Sequence, residues 1–170
     1  MADLDITQLI LSEHDAFRRS FTEIEALTDA AELGRRWDEL ADQLEVHAAG
    51  EEEVFYPHLL QEVDDSEGDT EHAVKDHNEI RDAVRSVADH EVGTDPWWAA
   101  LRGAREATVD HLGEEEQDVL PPFKEQAPED LRTDLGMRWL AFRDAHDGAR
   151  GLSGDDKDPE AYVEEHANGS

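Results

Sequence analysis

Apolar residues recur every three or four positions along most of the chain, the spacing of one helix face, and no segment alternates as a strand does. The first helical segment, at about 5–27, carries Ile6, Ile10, His14, Phe17, Phe21 and Ile24 on one face. The second, at about 30–56, carries Leu33, Trp37, Leu40, Leu44, His47, Glu51 and Phe55. Pro57 predicts a kink there, with a brief extension through His58, Leu59 and Leu60. Residues 62–70 are acidic and contain Gly68, which reads as a solvated loop. A third helix is expected at about 71–90, with Val74, His77, Ile80, Val84 and Val87 as its stripe. Gly93, Thr94, Asp95 and Pro96 then supply a stop, an N-cap and a first-turn proline. The fourth helix runs to about residue 120 with Trp97 or Trp98, Leu101, Ala104, Thr108, His111, Glu115 and Val119, and Pro121-Pro122 is expected to end it. A fifth, at about 128–146, carries Leu131, Leu135, Trp139, Phe142 and His146. The expected fold class is all-α: an antiparallel up-down-up-down four-helix bundle over 1–124 with a fifth C-terminal helix at 125–148 packed on it. Residues 149–170, rich in Gly, Asp and Glu, read as an acidic, loosely ordered tail.

The stripes contain a duplication. His47-x-x-x-Glu51-Glu52-x-x-Phe55-x-Pro57 aligns without gaps on His111-x-x-x-Glu115-Glu116-x-x-Val119-x-Pro121. Upstream, His14-Asp15-Ala16-Phe17-Arg18 aligns on His77-Asn78-Glu79-Ile80-Arg81, at an offset of 63 residues against 64 for the first pair. The chain therefore reads as two similar helical hairpins related by a pseudo-twofold. Each contributes one His on its first helix and a His and Glu one turn apart on its second. A single His on an apolar stripe is ordinarily a satisfied core residue. Here polar groups sit on the core stripe of all four helices at matching places.

Composition sharpens that reading. The chain has 170 residues, 45 Asp plus Glu against 15 Lys plus Arg, a net charge of −30 and no cysteine. Without cysteine there is no disulfide, thiolate zinc site or iron–sulfur cluster. So negative a surface should be repelled by nucleic acid and anionic membranes. No apolar run approaches a membrane span, and Met1-Ala2-Asp3-Leu4-Asp5 lacks the features of a signal peptide, so a cytoplasmic protein is expected. Most of the acids are solvated, but Glu51 and Glu115 lie on the core stripe. Burying an unpaired carboxylate costs several kcal/mol, roughly the whole stability margin of a domain. Two buried carboxylates among four imidazoles are tolerable if metal cations bind them. Mixed nitrogen and oxygen ligation suits iron, manganese or zinc.

At these residues the sequence resembles the hemerythrin-like family, also called the HHE cation-binding domain, over about residues 6–121. The stretch at 76–84, Trp97-Trp98 and the tail at 156–163 are similar to its actinobacterial branch. The resemblance implies an antiparallel four-helix bundle around two non-haem iron ions, oxo- or hydroxo-bridged. In it His14, His47, His77 and His111 would be terminal ligands, with Glu51 and Glu115 bridging. Two departures from oxygen-carrying members matter. Those have a second His one turn before the third-helix ligand, where this chain has Ala73, and His72 is one residue out of phase. They also place the fourth-helix carboxylate five residues after its His, which here is Glu116, whereas the repeat favours Glu115. Glu52 and Glu116 are therefore alternative ligands or outer acceptors, Tyr56 a candidate for a vacant position, and His72 a candidate ligand or a solvated first-turn residue.

The resemblance implies a redox-active di-iron protein handling a small neutral ligand, namely hydrogen peroxide (catalase-like decomposition), nitric oxide or oxygen, in stress defence. The alternatives are a non-catalytic module that senses or stores oxygen or iron, and a structural metal-binding bundle. No nucleophile–base array or phosphate loop supports hydrolase or transferase chemistry. His58, His90, His146 and His166 fall outside the repeat and read as structural or surface residues, and the four tryptophans as packing.

Overall fold

The computed structural model describes residues 4–168, so the ends of the chain, 1–3 and 169–170, lie outside the described residues. Helix α1 spans Ile6–Glu25 and starts at Asp5, whose carboxylate accepts the Thr7 N–H. Helix α2 spans Ala30–Gly50, passes through a π-helical turn at Glu51–Phe55 and continues as Tyr56–Glu62. Helix α3 is Glu67–Ala88. Helix α4 repeats the form of α2: Asp95–Glu114, a π-turn at Glu115–Val119, then Leu120–Gln126. Helix α5 is Glu129–Ala145 and α6 is Pro159–Ala167. The first four form the up-down-up-down bundle, and no helix among the described residues is long and apolar enough to cross a membrane.

Three expectations are corrected, each for a local reason. The loop expected at 62–70 is confined to 63–66, because two of its acids, Glu67 and Asp69, sit in the first turn of α3 where they complement its dipole. Pro121 and Pro122 do not end α4. Each proline of the repeat directly follows the first residue after a π-turn, where a missing N–H disrupts little, so both helices run on. The break in α2 accordingly lies at Glu51–Phe55, one turn before the expected kink at Pro57. Finally, the tail read as loosely ordered contains helix α6, capped by Asp158 accepting the Ala161 N–H at 3.0 Å.

The bundle buries two separate apolar clusters. One end holds Phe21, Trp37, Leu40, Trp97 and Leu101; the other holds Ile6, Ile10, Phe55, Leu59, Phe123, Leu135 and Trp139. Between them lies a layer of buried polar residues: His14 falls between Ile10 and Phe17 on α1, and His77 between Val74 and Ile80 on α3.

Helix α5 crosses α1 and α2 closely, and two glycines permit it. A Cβ on Gly50 would meet the Trp139 ring at 3.1 Å, and one on Gly136 would lie 1.5 Å from the Leu4 carbonyl oxygen. Arg132 on α5 reinforces the junction by donating to Asp5 at 2.7 Å. Gly136→Ala must therefore displace the backbone that leads into the α1 cap. A stability loss of about 1–3 kcal/mol is expected, several degrees in Tm by calorimetry. An unchanged Tm would refute this packing.

Candidate metal centre

Four residues make one helical turn, so His47 and Glu51 stack on one face of α2, as His111 and Glu115 do on α4. The structure brings both pairs together with His14 and His77 in the polar layer. All six are at most 4 % exposed. Glu51 Oε1 lies 3.0 Å from His47 Nε2 and 3.3 Å from His77 Nε2. Glu115 lies 3.5 Å from both His14 Nε2 and His111 Nε2. Each carboxylate thus faces one His of its own hairpin and one of the other, as a pseudo-twofold requires. The atoms form two overlapping groups of ligand type: His14, His47, Glu51 and Glu115, and Glu51, His77 and His111.

The outward ring nitrogens meet a second set of carboxylates. His47 Nδ1 is 3.3 Å from Glu13, His111 Nδ1 is 3.1 Å from Asp76, and His77 Nδ1 is 2.8 Å from Glu52. His14 Nδ1 faces Glu116 at 3.6 Å, beyond a hydrogen bond. A carboxylate can only accept, so each bonded Nδ1 carries the proton and its Nε2 lone pair points inward. Arginines back the set symmetrically. Arg18 grips Glu116 through two bonds of 2.9 and 2.6 Å, and Arg81 donates to both oxygens of Glu52 at 3.2 Å and to Glu45 at 3.0 Å.

This outer ring keeps its acids ionised. Burial pushes Glu13, Glu52 and Asp76 up, but hydrogen bonds and charge from His47, from His77 with Arg81, and from His111 outweigh it and hold them below the usual carboxylate range. At Glu116 the Arg18 hydrogen bonds dominate and act the same way. The inner pair is different. Burial, and then the charge of Glu115, push Glu51 well up. Glu115 is drawn down despite burial by its close approach to Glu51 and His14 and the charge of His111. Burial also depresses His14, so it supplies little positive charge.

Several inner atoms lack partners. Among the described residues, His14 Nε2, His47 Nε2, both oxygens of Glu51 and Oε1 of Glu115 are buried with no hydrogen bond. His77 Nε2 and His111 Nε2 approach to 3.1 Å with both outward nitrogens already committed. Inward lone pairs and anionic oxygens at this spacing are a donor set for cations. With the family match below, they mark a metal-binding module. The set is imidazole and carboxylate without thiolate, which suits iron, manganese or zinc.

Sequence position alone does not separate the remaining candidates; the structure does. Glu115, not Glu116, enters the inner layer. Glu52 and Glu116 stand outside the imidazoles as acceptors. Tyr56, fully buried, donates to Glu115 Oε2 at 2.9 Å and lies 3.3 Å from His77 Nε2. His72 is exposed and bonds Glu114 at 2.8 Å, outside the buried cluster. Trp139, read from sequence as packing, stacks edge-on to His47 at 5.4 Å and donates its indole N–H to Glu13. Sequence reading passed over Glu13, Asp76, Arg18 and Arg81 as functional residues. Their signal was present, since an acid precedes each first-helix His and an Arg follows it by four. A cleft of about 620 Å³ beside Glu13 touches none of the six inner residues and is peripheral to this chemistry.

The hemerythrin HHE cation binding domain matches residues 5–123. A DNA nickase of Nostoc sp. (strain PCC 7120 / SAG 25.82 / UTEX 2576) is 24% identical over 122 residues, 72% of this chain and 34% of that protein. The chain thus spans about a third of the length of the curated relative it matches. No solved structure matches at comparable stringency.

A raised carboxyl destabilises the fold at any pH above its ordinary value, near 4.5 for Glu51, because the folded chain must hold a proton the unfolded chain releases. In chelator, Glu51→Gln should therefore stabilise the fold at pH 7 by on the order of 1–4 kcal/mol, seen as a raised Tm. That advantage should vanish as pH falls through about 4.5. Thermal melts across that range check the sign, and a variant less stable at pH 7 would contradict it.

Proposed function

The chain belongs to the hemerythrin HHE cation-binding domain family, and from that premise we propose that it holds two iron ions in its buried layer and uses them on a small neutral ligand. Hydrogen peroxide, nitric oxide and oxygen are the ligands in view, with removal of an oxidant or radical in stress defence as the role. The observation that carries the reading is the twofold array of inward Nε2 atoms around Glu51 and Glu115, with its partnerless buried atoms. One ion would be held by His14 and His47, the other by His77 and His111, with Glu51 and Glu115 shared between them. Manganese or zinc satisfies the same donors. Iron when bound supplies reversible one-electron chemistry and open coordination positions.

The chain's own groups determine what reaches those positions. Burial and the charges of Glu115 and Glu51 push the Tyr56 phenol well up, so it stays neutral and keeps a proton on its oxygen. That proton points at Glu115 Oε2 beside His77 Nε2, where it would hydrogen-bond a small ligand. Glu52, Glu13 and Asp76 fix the tautomer and ring angle of the histidines they bond. A cleft of about 130 Å³ between α2 and α3, lined by Leu44, Ala48, Ile80 and Val84, reaches His77. Glu45, Arg81 and Arg85 line it as well, and its size suits a diatomic or peroxide. The net charge of −30 attracts cations and repels anions, which again favours a neutral ligand.

DNA nicking belongs to the Nostoc relative and is not carried over. The shared region is a third of that protein, and this surface repels phosphate.

Purified protein loaded with ferrous iron should contain about two irons per chain by elemental analysis. Glu51→Ala or Glu115→Ala should cost most of that metal, and Glu53→Ala, on an exposed residue, almost none. Equal metal content in all three would sink the ligand assignment. Oxygen evolution from peroxide and nitric oxide consumption by the loaded protein test the activity. Metal binding without either turnover would leave a binding module in place of an enzyme.

A further inference from the structure

The two hairpins are equivalent in their ligands but not in their surroundings. In α2 the π-turn sends the Tyr56 N–H to the Glu51 carbonyl, five residues back. The Glu52 carbonyl would next pair with residue 57, but Pro57 has no N–H to give. That orphaned carbonyl accepts the hydroxyl of Tyr162 from helix α6, itself only 6 % exposed. Lys157 Nζ meets the same residue's carboxylate at Oε2.

The segment bearing these two residues is fastened along α3. The Asn78 amide brackets the Lys157 backbone, donating to its carbonyl at 2.6 Å and accepting its N–H at 2.9 Å. Arg85 donates to the Gly154 carbonyl and to Asp156 at 3.3 Å. Among the described residues, this segment reaches neither of the aligned positions in the other half of the repeat, Asp15 and Glu116. Asp15, which aligns on Asn78, is largely exposed, and Glu116, which aligns on Glu52, has a side chain 24 % exposed and held by Arg18. The outcome is visible in the histidines: Glu52 sits 2.8 Å from His77 Nδ1, whereas Glu116 sits 3.6 Å from His14 Nδ1.

We propose that residues 151–167 are a clasp that makes the two metal positions unequal, with Tyr162 and Lys157 as positioning residues that seat Glu52 on His77. This rests on the proposed reading that His77 is a ligand. Glu52, fixed at backbone and carboxylate together, keeps the proton on Nδ1 and directs the Nε2 lone pair inward. The His77–His111 position is thereby preorganised and fills first. The His14–His47 position, whose His14 lacks a hydrogen-bonded acceptor, fills second.

The test is a zinc titration of the full chain, with imidazole nitrogen resonances followed by NMR. Wild type should take zinc in two steps, His77 and His111 responding before His14 and His47. Tyr162→Phe with Lys157→Met should weaken the first step by about tenfold or more and leave the second unchanged. In the metal-free chain the same pair should move the His77 Nδ1 resonance and not those of His14, with helicity retained. Tyr162→Phe alone should move His77 in the same direction by less. An unmoved His77, or equal shifts at His14 and His77, overturns the clasp. If wild type takes up no zinc, and no iron either, the metal reading fails, while the metal-free His77 resonance still decides the clasp.

Discussion

Two carboxylates sit in the middle of this protein without a protein cation beside them. Glu51 and Glu115 are fully buried, and among the described residues no Lys or Arg pairs with either. The desolvation of even one such group is comparable with the net stability of a whole domain. The surroundings answer that cost in a particular way. Arg18 and Arg81 go to Glu116 and Glu52, one layer out, and only imidazole nitrogens and the Tyr56 hydroxyl face the inner pair. An arginine in the inner layer would neutralise the carboxylates but occupy the space a cation needs. Placing the fixed positive charge outside and the lone pairs inside leaves a negative cavity whose walls are already satisfied.

The π-turns reconcile that layer with helical geometry. A regular helix would carry Glu52 about 100° away from Glu51, and one of the two would leave the interior. In the opened turn of α2 both Glu51 and Glu52 are buried, so one helix supplies an inner oxygen and an outer acceptor. The following proline fits because the opened turn has already broken the hydrogen-bond ladder. What the ladder loses at Glu52 is restored from a distant part of the chain, through Tyr162. In the second hairpin Glu116 remains partly exposed, so the pseudo-symmetry of the sequence becomes an asymmetry of the folded site.

The −30 charge has two components. The greater part covers the surface, as expected for helices with one apolar face. A smaller part is an ordered shell of Glu13, Glu52, Asp76 and Glu116 around the histidines, ionised because each is held by imidazole or guanidinium. Reading only the apolar stripes finds the inner six and misses this shell. Its members flank the stripe positions and become buried only when a neighbouring helix covers them.

The sequence by itself determined the helices, the pairing of the hairpins and the polar layer. Those follow from periodicity and from a repeat with identical spacing of His, Glu and Pro. It also carried the evidence for the outer ring, in the matched Glu13 and Asp76, Arg18 and Arg81, without saying what they touch. Three things were left to the tertiary structure. It placed Glu115 rather than Glu116 inside, because the choice turns on the phase of α4 against three other helices. It turned Tyr56 toward Glu115, because α2 must pass through a π-turn to present it. It also folded residues expected to be loose onto Glu52, because an orphaned carbonyl at a proline has no partner within its own helix. Local pattern fixes which face is buried; only packing decides which atoms on that face meet.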